Sequence, residues 1–302
     1  MSKMKKILSN STLTMGVFVL LLLFTVTKIS ENVVKDWALM VINQALAPQR
    51  LSVNSEEFQI GLFPKPNALL KKASIQNTMT GQFFQLEAVK VSPSILSLFT
   101  GKIGADIYIP MGTGSFNATL GTSGRNFSIT VDGANLELGQ IFSLAGFPGI
   151  KTKGQLNLEL FLSGDMQTAP SWNGELSVTG KNLAILPQNI MGIELPIMSI
   201  SEMKNKVTLT GGKAKIVDGI IGKIGDDIAI LLSGDLTLQN RMDESQVNLK
   251  AILKLSQKIT SSLTILEAIL SQSKQADGSY GYLVTGIAVS PVIAPLSSPL
   301  TQ

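Results

Sequence analysis

The sequence contains neither cysteine nor histidine. Without cysteine the chain can form no disulfide, no thiolate metal site and no cysteine nucleophile. Without histidine it lacks the usual general base near neutral pH, the commonest metal ligand and every catalytic arrangement that pairs histidine with serine or cysteine. We therefore predict a non-enzymatic protein with no catalytic residue, no cofactor and no bound metal.

Aromatic residues make up 6% and charged residues 15% of the 302-residue chain, whereas hydrophobic residues make up 44%, which is enough to bury a core. The formal net charge of +4 arises at the amino terminus, where Lys3, Lys5, Lys6 and Lys28 precede the first acidic residue. The remainder of the chain is electrically balanced. It offers no basic stripe that would neutralise phosphates, so we predict no binding to nucleic acid.

Residues 7–27 carry no charged side chain. As an α-helix these 21 residues would span about 31 Å, close to the thickness of the hydrocarbon core of a bilayer. We therefore predict a transmembrane helix over residues 7–27. The densest apolar stretch is Val17–Phe24. The residues of the membrane anchor are Leu13 and, within that stretch, Val17, Phe18, Leu20, Leu21, Leu22, Leu23 and Phe24.

The charges on the two sides of this segment predict its orientation. Lys3, Lys5 and Lys6 precede it, whereas lysines and acidic residues balance after it. By the positive-inside rule, residues 1–6 stay in the cytoplasm and the chain from residue 31 onward is exported. A cleaved signal peptide is the alternative, but no small-x-small cleavage site follows at the right distance. We favour a single-pass anchor in the inner membrane of a Gram-negative bacterium, with the bulk of the chain in the periplasm.

The spacing of apolar residues predicts a juxtamembrane amphipathic helix over residues 28–50. Its apolar residues recur at spacings of three and four: Val33, Val34, Trp37, Val41 and Ala45. This face either lies on the outer surface of the membrane or caps the end of a β-sheet. We favour the cap, because the helix has few basic residues that would attract anionic lipid.

Apolar and polar residues alternate in many short segments of residues 51–290, so we predict a β-rich periplasmic domain over this range. In one of them Leu156, Leu158, Leu160 and Leu162 alternate with Asn157, Glu159 and Phe161. Residues 103–109 and 247–255 show the same period. Glycines at the ends of such segments favour antiparallel meanders, and we place two-residue turns at Asp132-Gly133, Asp218-Gly219 and Asp277-Gly278.

A few short helices interrupt this pattern, one within residues 93–99 and one within residues 259–272. Residues 291–302 contain Pro291, Pro295 and Pro299, so we predict an extended proline-rich tail rather than a strand. The body forms either one continuous elongated domain or two β halves divided at residues 144–153. We favour the continuous domain, because no linker-like change of composition occurs there.

Many predicted strands thus have one apolar face, while few helices are available to cover it. Either the sheet folds over on itself and hides that face in a closed core, or it leaves an apolar groove.

The order of these elements resembles the type II secretion system protein N (GspN) family, which in turn is similar to the AsmA/TamB group of periplasmic β-groove proteins. The resemblance covers nearly the whole chain. It rests on the basic start MSKMKKILSN with its lone anchor, on FFQLEAVKVSPSILSLFTGKI, on GQLNLELFLSGD and WNGELSVTGKNLAIL, and on IGDDIAILLSGDLTLQNRMDESQVNLKAILKLS followed by ADGSYGYLVTGIAVSP.

The resemblance implies an AsmA/TamB-like fold and an accessory role in type II protein secretion. In that role the protein bridges the inner-membrane part of the machine toward other secretion components, including the outer-membrane secretin. It carries over no catalytic residue. The AsmA/TamB likeness implies a different function, in which apolar strand faces bind phospholipid acyl chains and the protein binds or transfers lipid.

Overall fold

The computed structural model describes residues 35–36, 39–40, 43–44, 47, 51–61, 66–78, 81, 83–94, 103–144, 149–190, 193–241, 244–262 and 270–296. The predicted transmembrane helix, with its anchor residues and the preceding lysines, lies outside these ranges. No helix among the described residues is long and apolar enough to cross a membrane. The chain divides into two compact units, Met1–Gln85 and Leu86–Gln302.

The smaller unit contains an antiparallel hairpin of β1 (Leu51–Gly61) and β2 (Asn67–Asn77). Within the predicted juxtamembrane segment, residues 35–36, 39–40 and 43–44 are helical. The Asn43 side chain joins this helical segment to the hairpin, because its Nδ2 donates to the Val53 carbonyl at 2.9 Å and its Oδ1 accepts the Val53 N–H at 2.6 Å. Phe58, Leu70 and Ala73 are buried.

The larger unit is built on one antiparallel sheet. Its first strand, β3, spans the boundary between the two units at residue 85. Its strands are β3 (Phe83–Pro93), β4 (Ile103–Met111), β5 (Gly114–Ser123), β6 (Asn126–Glu137), β7 (Thr152–Asp165), β8 (Thr168–Ile185), β11 (Met198–Thr210), β12 (Lys213–Ile221), β13 (Ile228–Thr237), β14 (Gln246–Leu255), β15 (Tyr280–Ile287) and β16 (Ser290–Pro295), paired in that order. The short strands β9 (Gln188–Ile190) and β10 (Ile193–Leu195) form a separate hairpin.

The described helices are short: α1 (Leu138–Leu144), α2 (Gln257–Ser262) and a 3-10 helix (Ser271–Ser273). The prediction of a mainly β, antiparallel fold with a few short helices is thus confirmed. The boundary between the units falls at residue 85, and the alternative boundary at residues 144–153 lies inside the larger unit.

The alternation in β7 has the expected physical result. Leu156 is buried, and Leu158, Leu160 and Leu162 are partly buried, whereas Asn157, Glu159 and Phe161 are exposed. Successive side chains of a strand point to opposite faces, so this sheet has an apolar and a polar face.

Two of the predicted turns are wrong. Asp132-Gly133 lies inside β6, and the chain turns instead at Gly124-Arg125, where Gly124 has φ +61°. A Cβ at 133 would lie 2.7 Å from the Leu136 Cδ1, so a larger residue there would displace that side chain. Asp218-Gly219 lies inside β12, where a Cβ on Gly219 would meet the backbone carbonyl of Leu232.

The turn at Asp277-Gly278 is confirmed. Gly278 has φ +79°, and the Gln275 N–H donates to the Ser279 carbonyl at 2.7 Å, which closes the turn. The predicted helix over residues 259–272 is α2 followed by the 3-10 helix, with residues 263–269 outside the described ranges. Of residues 93–99, Pro93 ends strand β3 and residues 95–99 are not described.

The expected extended tail is in part a strand. Ser290–Pro295 forms β16 and pairs antiparallel with β15 from Ile287↔Ser290 to Tyr282↔Pro295. The prediction was wrong because proline disfavours only strand positions whose N–H must donate, and an edge strand has positions that donate to nothing.

The core of the larger unit lies at one end of the sheet. Helix α1 packs there through Leu138 on Leu156, Leu183 and Ile200. Beside it Ile259 of α2 packs on Met198, and the side chain of Ile259 is completely buried. We call α1, α2 and the β9–β10 hairpin the cap, because these elements follow the strand ends and α1 and α2 carry the apolar residues that close this end.

Candidate functional site

The anchor residues Leu13 to Phe24 and the topology lysines Lys3, Lys5 and Lys6 lie outside the described residues, so their roles stay predictions. The site that the structure does describe is the sheet of the larger unit, with its two faces and its edge. Among the described residues no group of three or more acidic side chains is placed to hold a metal ion.

One cross-strand row of the sheet is entirely apolar. Following the register from strand to strand, it consists of Val91, Ile107, Ala118, Val131, Leu160, Leu176, Val207, Ile216, Gly234, Leu249, Val284 and Ile293. We call this the apolar row. At about 4.8 Å between neighbouring strands, it extends about 50 Å across the sheet.

Among the described residues, the apolar row is at least partly exposed along its length. Every residue from Val91 to Val284 in it is partly exposed, and Ile293 at its end is 65% exposed. Nearer the cap, by contrast, Leu156 is buried beneath Leu138 and Leu183. Among the described residues, the sheet is therefore closed at the cap end and open along the row.

The opposite face is mainly polar and carries cross-strand ion pairs, although Tyr108, Phe161 and Leu231 are also exposed on it. Lys206 lies 2.8 Å from Glu175, and Lys213 lies 2.9 Å from Asp235. The hydrogen bond to Glu175 and the charge of that carboxylate raise the pKa of Lys206, and the hydrogen bond from Lys213 lowers the pKa of Asp235. These pairs are exposed, so they contribute little to stability, and they mark this face as solvated.

Asp226 and Asp227, between β12 and β13, join strands to the cap. The Oδ2 of Asp226 accepts from the Ser201 N–H at 2.7 Å, while Asp227 accepts from the Ser199 N–H at 2.9 Å and from the Ser256 hydroxyl at 3.1 Å. The Lys258 ammonium, on α2, lies 3.3 Å from Asp227.

Two opposing effects act on these carboxyls. Burial disfavours their charged form and would raise each pKa. The hydrogen bonds outweigh burial, so the pKa of each carboxyl lies below its usual value. The two residues lie between β12 and β13, and their carboxylates hold the start of β11 and the start of α2 in place.

Strand β16 forms the last edge of the sheet, with β15 as its neighbour in the described part of the chain. The Leu296 N–H donates to the Gly281 carbonyl at 2.8 Å. Because backbone groups alternate in direction along a strand, Val292 and Ala294 also face β15, whereas Pro291, Ile293 and Pro295 face outward. Two of the three outward positions therefore have no N–H to offer an incoming strand.

Comparison with known protein families, with curated proteins and with solved structures finds no match to this chain. The function is therefore inferred from the geometry of the sheet.

Proposed function

We propose that this chain is a non-enzymatic, membrane-anchored periplasmic protein that acts as an accessory component of a type II secretion system, as its resemblance to the protein N family implies. The observation that supports the proposal best is the open apolar row on a sheet whose other face is solvated. Such a surface is suited to binding another macromolecule rather than to performing a reaction.

The face of the sheet, rather than its last edge, is the docking surface in this proposal. A partner strand added beside β16 would find one outward N–H donor, that of Ile293, between two prolines. A partner covering the apolar row removes apolar side chains from water along its whole length, which is the dominant favourable term in protein association. The predicted helix over residues 7–27 keeps this surface close to the inner membrane.

The test uses a photo-crosslinking amino acid in the full chain, expressed in its own cells. One variant carries it at Leu160 on the apolar row, and the control carries it at the adjacent Glu159 on the polar face. We expect crosslinks to a type II secretion component from position 160 and not from position 159. Deletion of the gene should also lower the export of secreted proteins. Unchanged secretion together with no captured secretion component at position 160 would refute the proposal.

A second function is favoured by the continuity of the apolar row, which crosses the strands from β3 to β16 without a polar residue. In this alternative the row binds phospholipid acyl chains, as the AsmA/TamB likeness implies. Acyl chains would be held by burial of apolar surface alone, which needs no charged side chain on the row.

Mass spectrometry of the full chain, purified in mild detergent, separates the two functions. Stoichiometric phospholipid that is lost on Leu160→Glu and Leu176→Glu, but kept on Thr130→Glu, supports lipid binding. Thr130 is the control because it is an exposed residue on the polar face of β6. Purified protein without lipid favours the secretion component and counts against the lipid groove.

A further inference from the structure

The polar face of the larger unit contains a cleft of about 490 Å³ where β6, β7, β8 and β11 lie side by side. Its polar lining consists chiefly of the amides of Asn135, Gln155, Asn157 and Asn182, the ammonium groups of Lys181 and Lys204, and the carboxylate of Glu202. Its volume falls within the range of small-ligand sites, about 300 to 1,000 Å³. The cleft lies on the face opposite to the apolar row and is independent of the function proposed above.

The backbone at this cleft is unusual. Among the described residues, only Lys72, Asn135 and Asn182 combine a side chain with a left-handed backbone, and two of these three line the cleft. Asn135 has φ 53° and Asn182 has φ 54°. Residues in such sparsely populated conformations cluster at binding sites, where the surrounding structure maintains them.

Both asparagines lie at irregularities of the sheet. The β6–β7 register shifts between Gly133 and Leu136, and the β7–β8 register shifts between Lys153 and Gln155. At each irregularity a leucine turns into the core, since Leu136 is 0% and Leu183 is 3% exposed. The neighbouring asparagine remains exposed on the polar face. Such bulges redirect a side chain within a strand.

The backbone alone does not require asparagine. Glycine adopts a left-handed conformation at lower cost, and the chain uses Gly154 with φ +109° at the second irregularity. Asparagine tolerates the same conformation and in addition supplies an amide group. The presence of asparagine rather than glycine at both positions therefore adds two amide groups to the cleft that the backbone itself does not require.

Two further amides in the cleft are held in fixed positions. The Asn157 Oδ1 accepts the Asn135 N–H at 2.9 Å, and the Gln155 Nε2 donates to the Thr113 hydroxyl at 3.0 Å. Among the described residues, the Asn182 amide and the Lys181 ammonium have no hydrogen-bond or ion-pair partner. Lys204 lies 3.3 Å from Asp218, an exposed pair that a ligand can compete with.

This set of groups selects a chemical class of ligand. Side-chain amides offer a donor and an acceptor next to each other, which matches hydroxyl groups that both donate and accept. None of the described residues that line the cleft is aromatic, so a flat nucleobase would find nothing to stack on among them. The carboxylate of Glu202 is paired with Lys223 at 3.0 Å, so the ammonium groups of Lys181 and Lys204 leave the cleft with a positive excess that favours an anion. We propose that this cleft binds an acidic oligosaccharide, whose hydroxyls bond to Asn135, Asn157 and Asn182 and whose carboxylate pairs with Lys181 and Lys204.

The test is calorimetric titration of the full chain in detergent with a galacturonic acid trisaccharide, and with neutral galactotriose for comparison. We expect saturable binding of the acidic probe and weaker binding of the neutral one. Asn135→Gly and Asn182→Gly should each weaken binding about threefold to tenfold, because each removes one or two hydrogen bonds. Lys181→Gln should lower the affinity for the acidic probe and leave the affinity for galactotriose unchanged.

The asparagine-to-glycine variants keep the left-handed backbone, so loss of binding in them is not a loss of fold. Lys72→Gly is the matched control, since it makes the same kind of change at a left-handed residue in the smaller unit. The proposal is overturned by any of three results: no saturable binding of the acidic probe, equal affinity for galactotriose, or binding that Asn135→Gly, Asn182→Gly and Lys181→Gln all leave unchanged.

Discussion

The carboxylate of Asp226 accepts two hydrogen bonds from Ser201, whose backbone N–H and hydroxyl each lie 2.7 Å from the same Oδ2 atom. A third bond reaches this oxygen from the Lys223 N–H at 2.8 Å. Asp226→Asn keeps the shape of the side chain but removes the charge that strengthens these bonds. We expect the free energy of unfolding to fall by about 1 to 3 kcal/mol, measured by urea denaturation.

The control for this variant is Asp132→Asn, which changes an exposed carboxylate of β6 that accepts no hydrogen bond from the described residues. We expect its effect to stay within about 0.5 kcal/mol. Equal losses of unfolding free energy in the two variants would show that the hydrogen bonds from Ser201 to the charged carboxylate of Asp226 do not stabilise the fold.

The pH dependence of stability follows from the lowered pKa values of Asp226 and Asp227. A carboxyl whose pKa is lower in the folded state contributes stability that is fully present above its unfolded-state pKa and is lost as pH falls through its folded-state pKa. We therefore expect the contribution of this pair to be complete above about pH 5 and to disappear progressively below about pH 4. Urea midpoints measured between pH 7 and pH 2 test this, and the Asp226→Asn/Asp227→Asn variant should show a shallower acid decline than the parent.

The cap depends on the fully buried side chain of Ile259, which packs on Met198. Ile259→Ala leaves a cavity between α2 and the sheet, and we expect it to cost about 2 to 4 kcal/mol of unfolding free energy. Val217→Ala is the comparison, because Val217 is exposed on β12 and its truncation leaves no cavity. A loss at Ile259 no larger than that at Val217 would show that α2 is not packed as described.

The prolines of β16 should keep the protein from adding strands at its last edge. Replacing Pro291 and Pro295 together by threonine restores two outward N–H donors beside that of Ile293, so we expect concentration-dependent self-association, measured by light scattering after gel filtration. The control is Ala294→Thr, which introduces the same residue type at a position whose backbone already faces β15. A double variant as monomeric as this control would contradict a protective role of the prolines.

The orientation in the membrane can be tested by single cysteines, because the natural chain contains none. The positive-inside rule predicts that the amino terminus is cytoplasmic and the sheet periplasmic. In intact cells whose outer membrane is permeable, a membrane-impermeant maleimide should label Thr130→Cys and should label Ser2→Cys only after the inner membrane is broken. The reverse labelling pattern would overturn the predicted orientation. A mature protein that begins near residue 30 would show that the predicted anchor is a cleaved signal peptide.

The sequence alone was sufficient to predict strands such as β7. Leucine occupies every second position from Leu156 to Leu162, and this period of two can be recognised without knowing which strands pair. The apolar character of one face followed from the same period. The cleft was not predicted, since nothing in the letters around Asn135 and Asn182 distinguishes a left-handed asparagine in a strand from an ordinary one.

The sequence by itself determined that this chain is mainly β, that its strands have an apolar and a polar side, and that it contains neither cysteine nor histidine. Only the tertiary structure decided that the strands continue through Asp132-Gly133 and Asp218-Gly219, and which groups meet. Gly133 lies in a strand because it pairs with Leu158 of β7, and Pro291 faces outward because of the register in which β16 pairs with β15. Both outcomes depend on contacts between segments, and a local pattern carries no information about which segments will pair.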